Sequence, residues 1–316
     1  MTQTKDSATK PRALMVGVHV LDTLVRPVEE IPEGQGGALV EQIEISAAGT
    51  AGGAALVLAR LGAQVSSAGV IGDDVPGELL VSLLAREGVD TQSLIATDTL
   101  QTSASVLPIR ADGSRPALHV IGANALLSTH VPWEALDDTD FVHLGAPEFF
   151  GGDLAAQMMR RAREGGAKTS ADSLGPGAPE ALAYFEAVLP ELDFLLPNDE
   201  QAMGWTGTDS VHDAARALVA RGTGCVAITC GAEPTVVATH EEIVDVPVFE
   251  VEVVDTSGCG DGFSAGFLRG IAHGLNPADA ARLGNAAAAH VARGLGTGAG
   301  SYTFESVFEF AFGRSA

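Results

Sequence analysis

Asp255-Thr256-Ser257-Gly258-Cys259-Gly260-Asp261-Gly262-Phe263-Ser264-Ala265-Gly266 decides how this chain is read. Its small residues predict a strand ending near 254, a tight glycine turn, and an apolar helix over 262–273. In that arrangement the N–H groups of Gly258, Cys259 and Gly260 converge at a helix N-terminus, where unpaired amides and the helix dipole stabilise negative charge. Asp261 then has two readings. It is an ordinary N-cap, or it is a general base that takes a proton from an attacking hydroxyl beside an anion hole.

Working outward, strand-like runs at 141–144, 168–172, 194–197 and 226–229 alternate with helical patterns at 153–164, 211–221, 262–273 and 277–293. Toward the N-terminus, an apolar run at 13–20 is followed by a Gly-rich stretch and an alternating piece at 39–45. A helix over 51–61 ends at Gly62, a strand covers 64–71, and a helix over 76–87 stops at Gly88. This βα rhythm predicts an α/β fold with a doubly wound, mostly parallel sheet flanked by helices. Two strand-like runs, 103–109 and 116–121, surround the turn Ala111-Asp112-Gly113-Ser114 and predict a hairpin. Segments at about 20–45 and 101–121 are therefore expected to form a small, discontinuous β-sheet lid on a single domain spanning 13–316, after a polar and disordered tail at 1–12.

With 316 residues and 46% hydrophobic side chains, the chain can bury a large core. Its net charge of −23 disfavours nucleic acid and anionic membranes, and lysine occurs only at Lys5, Lys10 and Lys168. No apolar stretch is long enough for a membrane span, so the protein is expected to be soluble and cytoplasmic. Cys225, Cys230 and Cys259 show neither zinc-ligand spacing nor a disulfide framework. Any phosphorylated ligand must be held by amide dipoles and metal ions, because the overall field is repulsive.

The Asp-Thr-x-Gly-x-Gly-Asp pattern at 255–261 resembles the C-terminal signature of the ribokinase-like (PfkB) carbohydrate kinases, and other segments agree in order. The stretch from Gly49 to Gly62, with Gly72-Asp73-Asp74 and Gly77, resembles the family's N-terminal signature. Asp22 after Gly17 resembles its early substrate-binding aspartate. Gly122-Ala123-Asn124, Pro197-Asn198 and Thr229-Cys230-Gly231 fall where such kinases carry Gly-Ala-Asn, the Asn-x-x-Glu magnesium motif and the Thr-x-Gly nucleotide motif.

The resemblance implies ATP as co-substrate with Mg2+, and allows K+ as a further cation. It implies Asp261 as base, the amides of Gly258, Cys259 and Gly260 as anion hole, and Asp22, Gly49 and Gly53 on the sugar side. Asn198, Thr229, Gly231 and Asn285 would line the nucleotide. Asn198 and Gln201 would orient magnesium through water, and Asp255 with Ser301 would ligate a monovalent cation. Some relatives pair through their lids, so a homodimer is expected.

Three departures stand out. Gly53 replaces an asparagine that commonly meets the sugar, leaving room for a bulkier acceptor. Gln201 replaces the glutamate of Asn-x-x-Glu, so a glutamate restored there is expected to tighten magnesium dependence. Cys259 replaces the usual alanine.

Rival readings remain. Gly262-Phe263-Ser264-Ala265-Gly266 matches the GxSxG nucleophile elbow with Asp279 and His290 following, but its serine is expected inside a helix rather than after a strand. Gly294-Leu295-Gly296-Thr297-Gly298 mimics a dinucleotide fingerprint yet follows a helix, and no GxxxxGK[ST] run occurs. A nucleoside kinase would need an apolar wall near Asp22, for which Leu107, Leu118 and Val120 are candidates. A catalytically silent sugar- or nucleotide-binding protein is the reading from another class.

Overall fold

The structure, a computed structural model, describes residues 10–316, so 1–9 of the expected tail lie outside the described residues. Strand β1 (Arg12–Gly17) already includes the last residue assigned to that tail, because Arg12 pairs with Gln64. There follow β2 (Val20–Arg26), β3 (Gln42–Ala48), α1 (Gly52–Arg60), β4 (Gln64–Gly72), α2 (Val75–Arg86) and β5 (Asp90–Thr97). Next come β6 (Ala104–Pro108), β7 (Leu118–Val120), β8 (Phe141–Gly145), α3 (Gly152–Glu164) and β9 (Lys168–Asp172). The chain continues through α4 (Pro179–Phe185), β10 (Phe194–Leu195), α5 (Asp199–Thr206), α6 (Val211–Ala220) and β11 (Cys225–Cys230). It ends with β12 (Glu233–Thr239), β13 (Ile243–Val246), α7 (Cys259–Ala272), α8 (Pro277–Ala292) and α9 (Phe304–Phe312).

Nine strands form one sheet in the order β13-β12-β11-β10-β9-β8-β1-β4-β5, parallel except that β12 runs antiparallel to both β11 and β13. Both faces are covered, which is why β1 is apolar at consecutive positions from Ala13 to Val16. Ala13 and Met15 pack in the cluster with α1, α2, α7, α8 and α9, whereas Leu14 and Val16 pack with α3, α4 and α6. The expected strand before the glycine turn does not form. Residues 247–258 carry neither helix nor strand. They return the chain from the sheet edge to its centre across α8, where the Val254 amide donates to the Ala292 carbonyl.

Close packing of α7 on α8 sets where the turn ends up. A Cβ on Gly266 would stand 2.8 Å from Ala287 Cβ, and one on Gly270 would stand 2.9 Å from Ala280 Cα. Glycines four residues apart thus open a groove for the alanine face of α8, and this explains the spacing that mimics a nucleophile elbow. Ser264, inside α7, is buried and meets Asp172 Oδ2 at 3.4 Å.

The remaining strands form a second sheet in the order β3-β2-β6-β7, the lid. Across it, Ser46, Asp22, Ser105 and His119 stand in register and therefore share one face. That face also carries Leu24 and Leu107, which cluster with Ile109 and with Leu295 from the main body. The Gly298 amide donates to Ser46 Oγ at 3.0 Å, so the lid is docked on the 293–300 loop. Where the chain passes from β1 into the lid, Asn124 accepts from the His19 amide and donates to its carbonyl. This gives the Gly-Ala-Asn segment a mechanical role at the hinge.

Candidate active site

The turn before α7 is capped by Gly258, which has φ +76° and whose α-carbon packs on Thr297 so tightly that a Cβ would strike the threonine side chain. Asp261 is the third helical residue and makes no hydrogen bond to a backbone amide, so the N-cap reading does not hold. Among the described residues, the amides of Gly258, Gly260 and Asp261 have no protein acceptor, whereas the Cys259 amide donates to the Thr256 carbonyl at 3.3 Å. The set of free amides is thus shifted from the expected one. It takes in Asp261 itself and lends Cys259 to the turn.

Burial pushes the Asp261 carboxyl well above the ordinary carboxylate range, with the charges of Asp172 and Asp22 adding to the effect and Arg115 opposing it. Asp172 lies at the end of β9 and Asp22 in the lid, so three acids from distant parts of the chain meet here. Asp22 is itself raised, first by burial, while Ser105, Arg115 and His119 pull it down. Arg115, on the β6–β7 connection, is the cation of this group and drew no notice in the sequence. A hairpin residue acquires its neighbours only when the lid folds over the main sheet.

Gly53 does not provide spare room. A Cβ there would collide with Asp261 Oδ2, so the space of the missing asparagine holds the carboxylate of the base candidate. Gly49 (φ +89°) forms the turn before α1, its carbonyl accepting from the Gly53 amide at 2.7 Å.

On the other side, Asn198 and Thr229 are joined by a parallel bridge between the ends of β10 and β11, and Gly231 (φ +61°) makes the exposed turn into β12. Asn285 is not among them. Its side chain is buried, accepting from Thr235 Oγ1 at 2.8 Å and donating to the Val246 and Pro247 carbonyls, so it ties α8 to the sheet edge.

Gln201 is committed as well. Its Oε1 accepts from the Asn198 amide, and its Nε2 donates to the Ser173 and Gly175 carbonyls at 2.8 and 3.0 Å. The amides of Leu174 and Gly175 donate to Glu148 Oε1 from the opposite side. A glutamate at 201 would set carboxylate oxygens against two carbonyls, which reverses the expectation from the motif. Glu148 Oε2 is a buried carboxylate oxygen without a hydrogen-bond partner among the described residues, whereas Asp172 Oδ1, which also makes no hydrogen bond, faces His143 Nε2 at 3.4 Å. Burial raises the Glu148 carboxyl above its usual range.

The expected monovalent-cation pair is not assembled. Asp255 accepts from the Ser257 amide and hydroxyl and from the Gly296 amide, all at 2.8–2.9 Å, while Ser301 is exposed and contributes nothing to it. Two further histidines are internal. His19 is clamped between Gly17 O and Ser67 Oγ, and burial holds its pKa down at about 4. His143 is buried on β8, with Nδ1 2.9 Å from Ser170 Oγ.

Residues 13–303 match the sequence profile described as pfkB family carbohydrate kinase. The chain belongs to that family. It is an ATP-dependent carbohydrate kinase. It is 28% identical over 259 residues to the ribokinase of Haemophilus influenzae, covering 79% of this chain and 82% of that one. A crystal structure of a putative ribokinase from Agrobacterium tumefaciens superposes with a TM-score of 0.83 at 26% identity, covering 96% of this kinase and 98% of that chain. A putative ribokinase II from E. coli, solved in complex with ATP and Mg2+, shares the fold with a TM-score of 0.83 at 19% identity, covering 97% and 100% of the two chains.

Two outcomes test the site. Gly53→Ala should displace the Asp261 carboxylate and lower kcat by about 10²-fold while the far-UV spectrum stays native, an ångström-scale misplacement being enough. Unchanged turnover would show that the contact does not position the carboxylate. Gln201→Glu should cost about 2–3 kcal/mol of stability in urea unfolding and leave the magnesium titration no steeper. A variant as stable as wild type would contradict the orientation of the Gln201 amide.

Proposed function

We propose that this kinase transfers the terminal phosphoryl group of ATP to a hydroxyl of a small sugar or sugar-like acceptor, with Asp261 as general base. The observation carrying this reading is the carboxylate of Asp261, forced into a buried, like-charged setting directly beside the free amides of Gly258, Gly260 and Asp261. Such a carboxylate has high proton affinity and stands next to an anion-stabilising turn. The acceptor lies between the lid row of Asp22, Ser105 and His119 and the first turn of α7. Asp22 accepts from its hydroxyls. As the acceptor oxygen bonds to the terminal phosphorus, its proton passes to Asp261, the bond to the bridging oxygen breaks, and ADP leaves. The amides hold the transferring group, so catalysis rests on positioning and electrostatics.

Asn198, Thr229 and Gly231 line the nucleotide side of this reading. Magnesium bound with ATP would neutralise phosphate charge, and the free buried oxygen of Glu148, rather than Gln201, would suit a hard cation. The E. coli structure with ATP and Mg2+ supports the pairing of nucleotide and metal on this fold. A nucleoside acceptor fits less well. Leu118 and Val120 flank His119 on β7 and so point to the face opposite Asp22, and Leu107 is buried in the lid cluster. A silent binding protein would retain Asp261 at a cost in stability with no return.

No helix among the described residues is long and apolar enough to cross a membrane. We place the enzyme in the cytoplasm, where ATP is supplied. We also propose a homodimer through the lids. The lid's outer face exposes Ile43, Ile45, Val106, Leu118 and Val120 together, an apolar surface that a second copy would cover.

Asp261→Asn should lower turnover on the accepted sugar by about 10²–10⁴-fold, and wild-type kcat/KM should show an acid limb above the ordinary carboxylate range. A carboxyl whose folded pKa is raised favours the fold at low pH and loses that contribution as pH rises through the folded value. Asp261→Asn should therefore have a higher Tm than wild type at pH 8, with the gap closing in acid. Full turnover in the variant would refute the base assignment. For the assembly, light scattering should give a dimer for wild type and a monomer for Ile43→Asp/Leu118→Asp; a monomeric wild type overturns the lid pairing.

A further inference from the structure

Beneath the lid, at the Arg26 end of its inner face and without Asp261 in its lining, lies a cavity of about 680 Å³ bounded by β3, the C-terminal ends of α1 and α2, and the 293–300 loop. Four arginines line it: Arg26 at the end of lid strand β2, Arg60 on α1, Arg86 on α2, and Arg293 after α8. Glu44 and Glu87 are the acids of its wall, so the lining carries a net charge of +2 (four minus two) in a chain of net charge −23. Electropositive concavity in so acidic a protein is not accounted for by the catalytic site.

Arg60 is spent, whereas Arg26, Arg86 and Arg293 keep guanidinium donors without a carboxylate partner, Arg293 lying 5.0 Å over the Phe310 ring. Arg60 is paired, with Glu87 at 2.7 Å, and it also donates to the Ala299 and Gly300 carbonyls, which fixes it against the loop. Arg26 Nε is buried without an acceptor, and Arg26 NH2 reaches only the Ala111 carbonyl, at 3.4 Å. Arg86 and Arg293 are exposed and form no ion pair among the described residues. Buried or convergent guanidinium donors with no acceptor call for oxyanions, which they bind in bidentate fashion. Among the described residues no aromatic ring lines the cavity, so a nucleotide base would find nothing to stack on; its apolar lining includes Ile45, Leu56, Leu83, Val254 and Leu295. We infer that this cavity binds a sugar bisphosphate, a small ligand with two separated phosphates and no base.

The position of the cavity makes the ligand a regulator of the kinase. Its wall, the 293–300 loop, turns its other face to the catalytic machinery. Through that loop the Gly296 amide holds Asp255, Thr297 packs on the Gly258 turn, and Gly298 holds Ser46 of the lid. A ligand bridging Arg26 of the lid to Arg86 and Arg293 of the main body favours the docked lid. It thereby lowers KM for the acceptor, since a ligand shifts an equilibrium by its differential affinity for the two states.

Isothermal titration calorimetry with fructose 1,6-bisphosphate as the probe, in the presence of a saturating non-hydrolysable ATP analogue, tests the site without relying on turnover. Wild type should bind one equivalent, and Arg86→Ala/Arg293→Ala should bind about tenfold more weakly or worse with an unchanged far-UV spectrum and unchanged analogue affinity. Equal binding by the variant, or no binding by wild type, overturns the inference even if the enzyme proves to be an active kinase. In a turnover assay the probe should lower the acceptor KM of wild type and leave that of the variant unmoved; binding without a KM effect overturns the regulatory role.

Discussion

The contact between the carboxylate of Asp261 and the α-carbon of Gly53 governs the rest of this structure. Two helix N-termini, those of α1 and α7, meet at the C-terminal edge of the parallel sheet, and no side chain at 53 could share that space. The approach is possible because α7 is set deep against α8 by Gly262, Gly266 and Gly270, and because Gly258 presses on Thr297. Glycine here does the work of distance. It brings one helix close enough for its first turn to reach a site whose residues, Asp22, Gly53, Arg115 and Asp172, come from far upstream in the chain.

That geometry has a cost for stability. Asp261 loses solvent and gains Asp172 and Asp22 as neighbours, so its ionised form is disfavoured in the fold. The surrounding structure absorbs the penalty through large, well-satisfied packing elsewhere. The 173–175 segment has its carbonyls held by Gln201 and its amides by Glu148, and Asn285 ties α8 to the β12–β13 edge. These polar side chains could be mistaken for ligand contacts by motif. Their donors and acceptors are spent inside the protein, and they act by keeping the strand ends rigid.

The lid and the 293–300 loop form one mechanical unit. Leu24, Leu107 and Ile109 close on Leu295, Ser46 accepts from Gly298, and the same loop holds Asp255 below the anion turn. Movement of the lid is therefore felt at the first turn of α7 through two glycine amides and one threonine. Kinship with pfkB family carbohydrate kinases accounts for the catalytic architecture, while the arginines beneath the far end of the lid line the same loop.

Much of the architecture is legible in the sequence because it depends on local periodicity. The apolar run of β1, the alanine-rich α8, and the Gly-rich turn at 258–260 follow from spacing and backbone freedom. The polar edge strand β5 and the short helices α4 and α5 escaped notice, since their patterns are completed by neighbours rather than by their own residues. The sequence by itself determined the parallel α/β sheet, the lid segments, and a carboxylate following an amide-rich turn. Only the tertiary structure decided that Gly53 receives Asp261 instead of the acceptor, that Gln201 and Asn285 serve the scaffold, and that Arg115 joins the acids of the site. The physical reason is that a side chain's role is set by which hydrogen-bond partners and charges surround it, and those come from segments far apart in the chain.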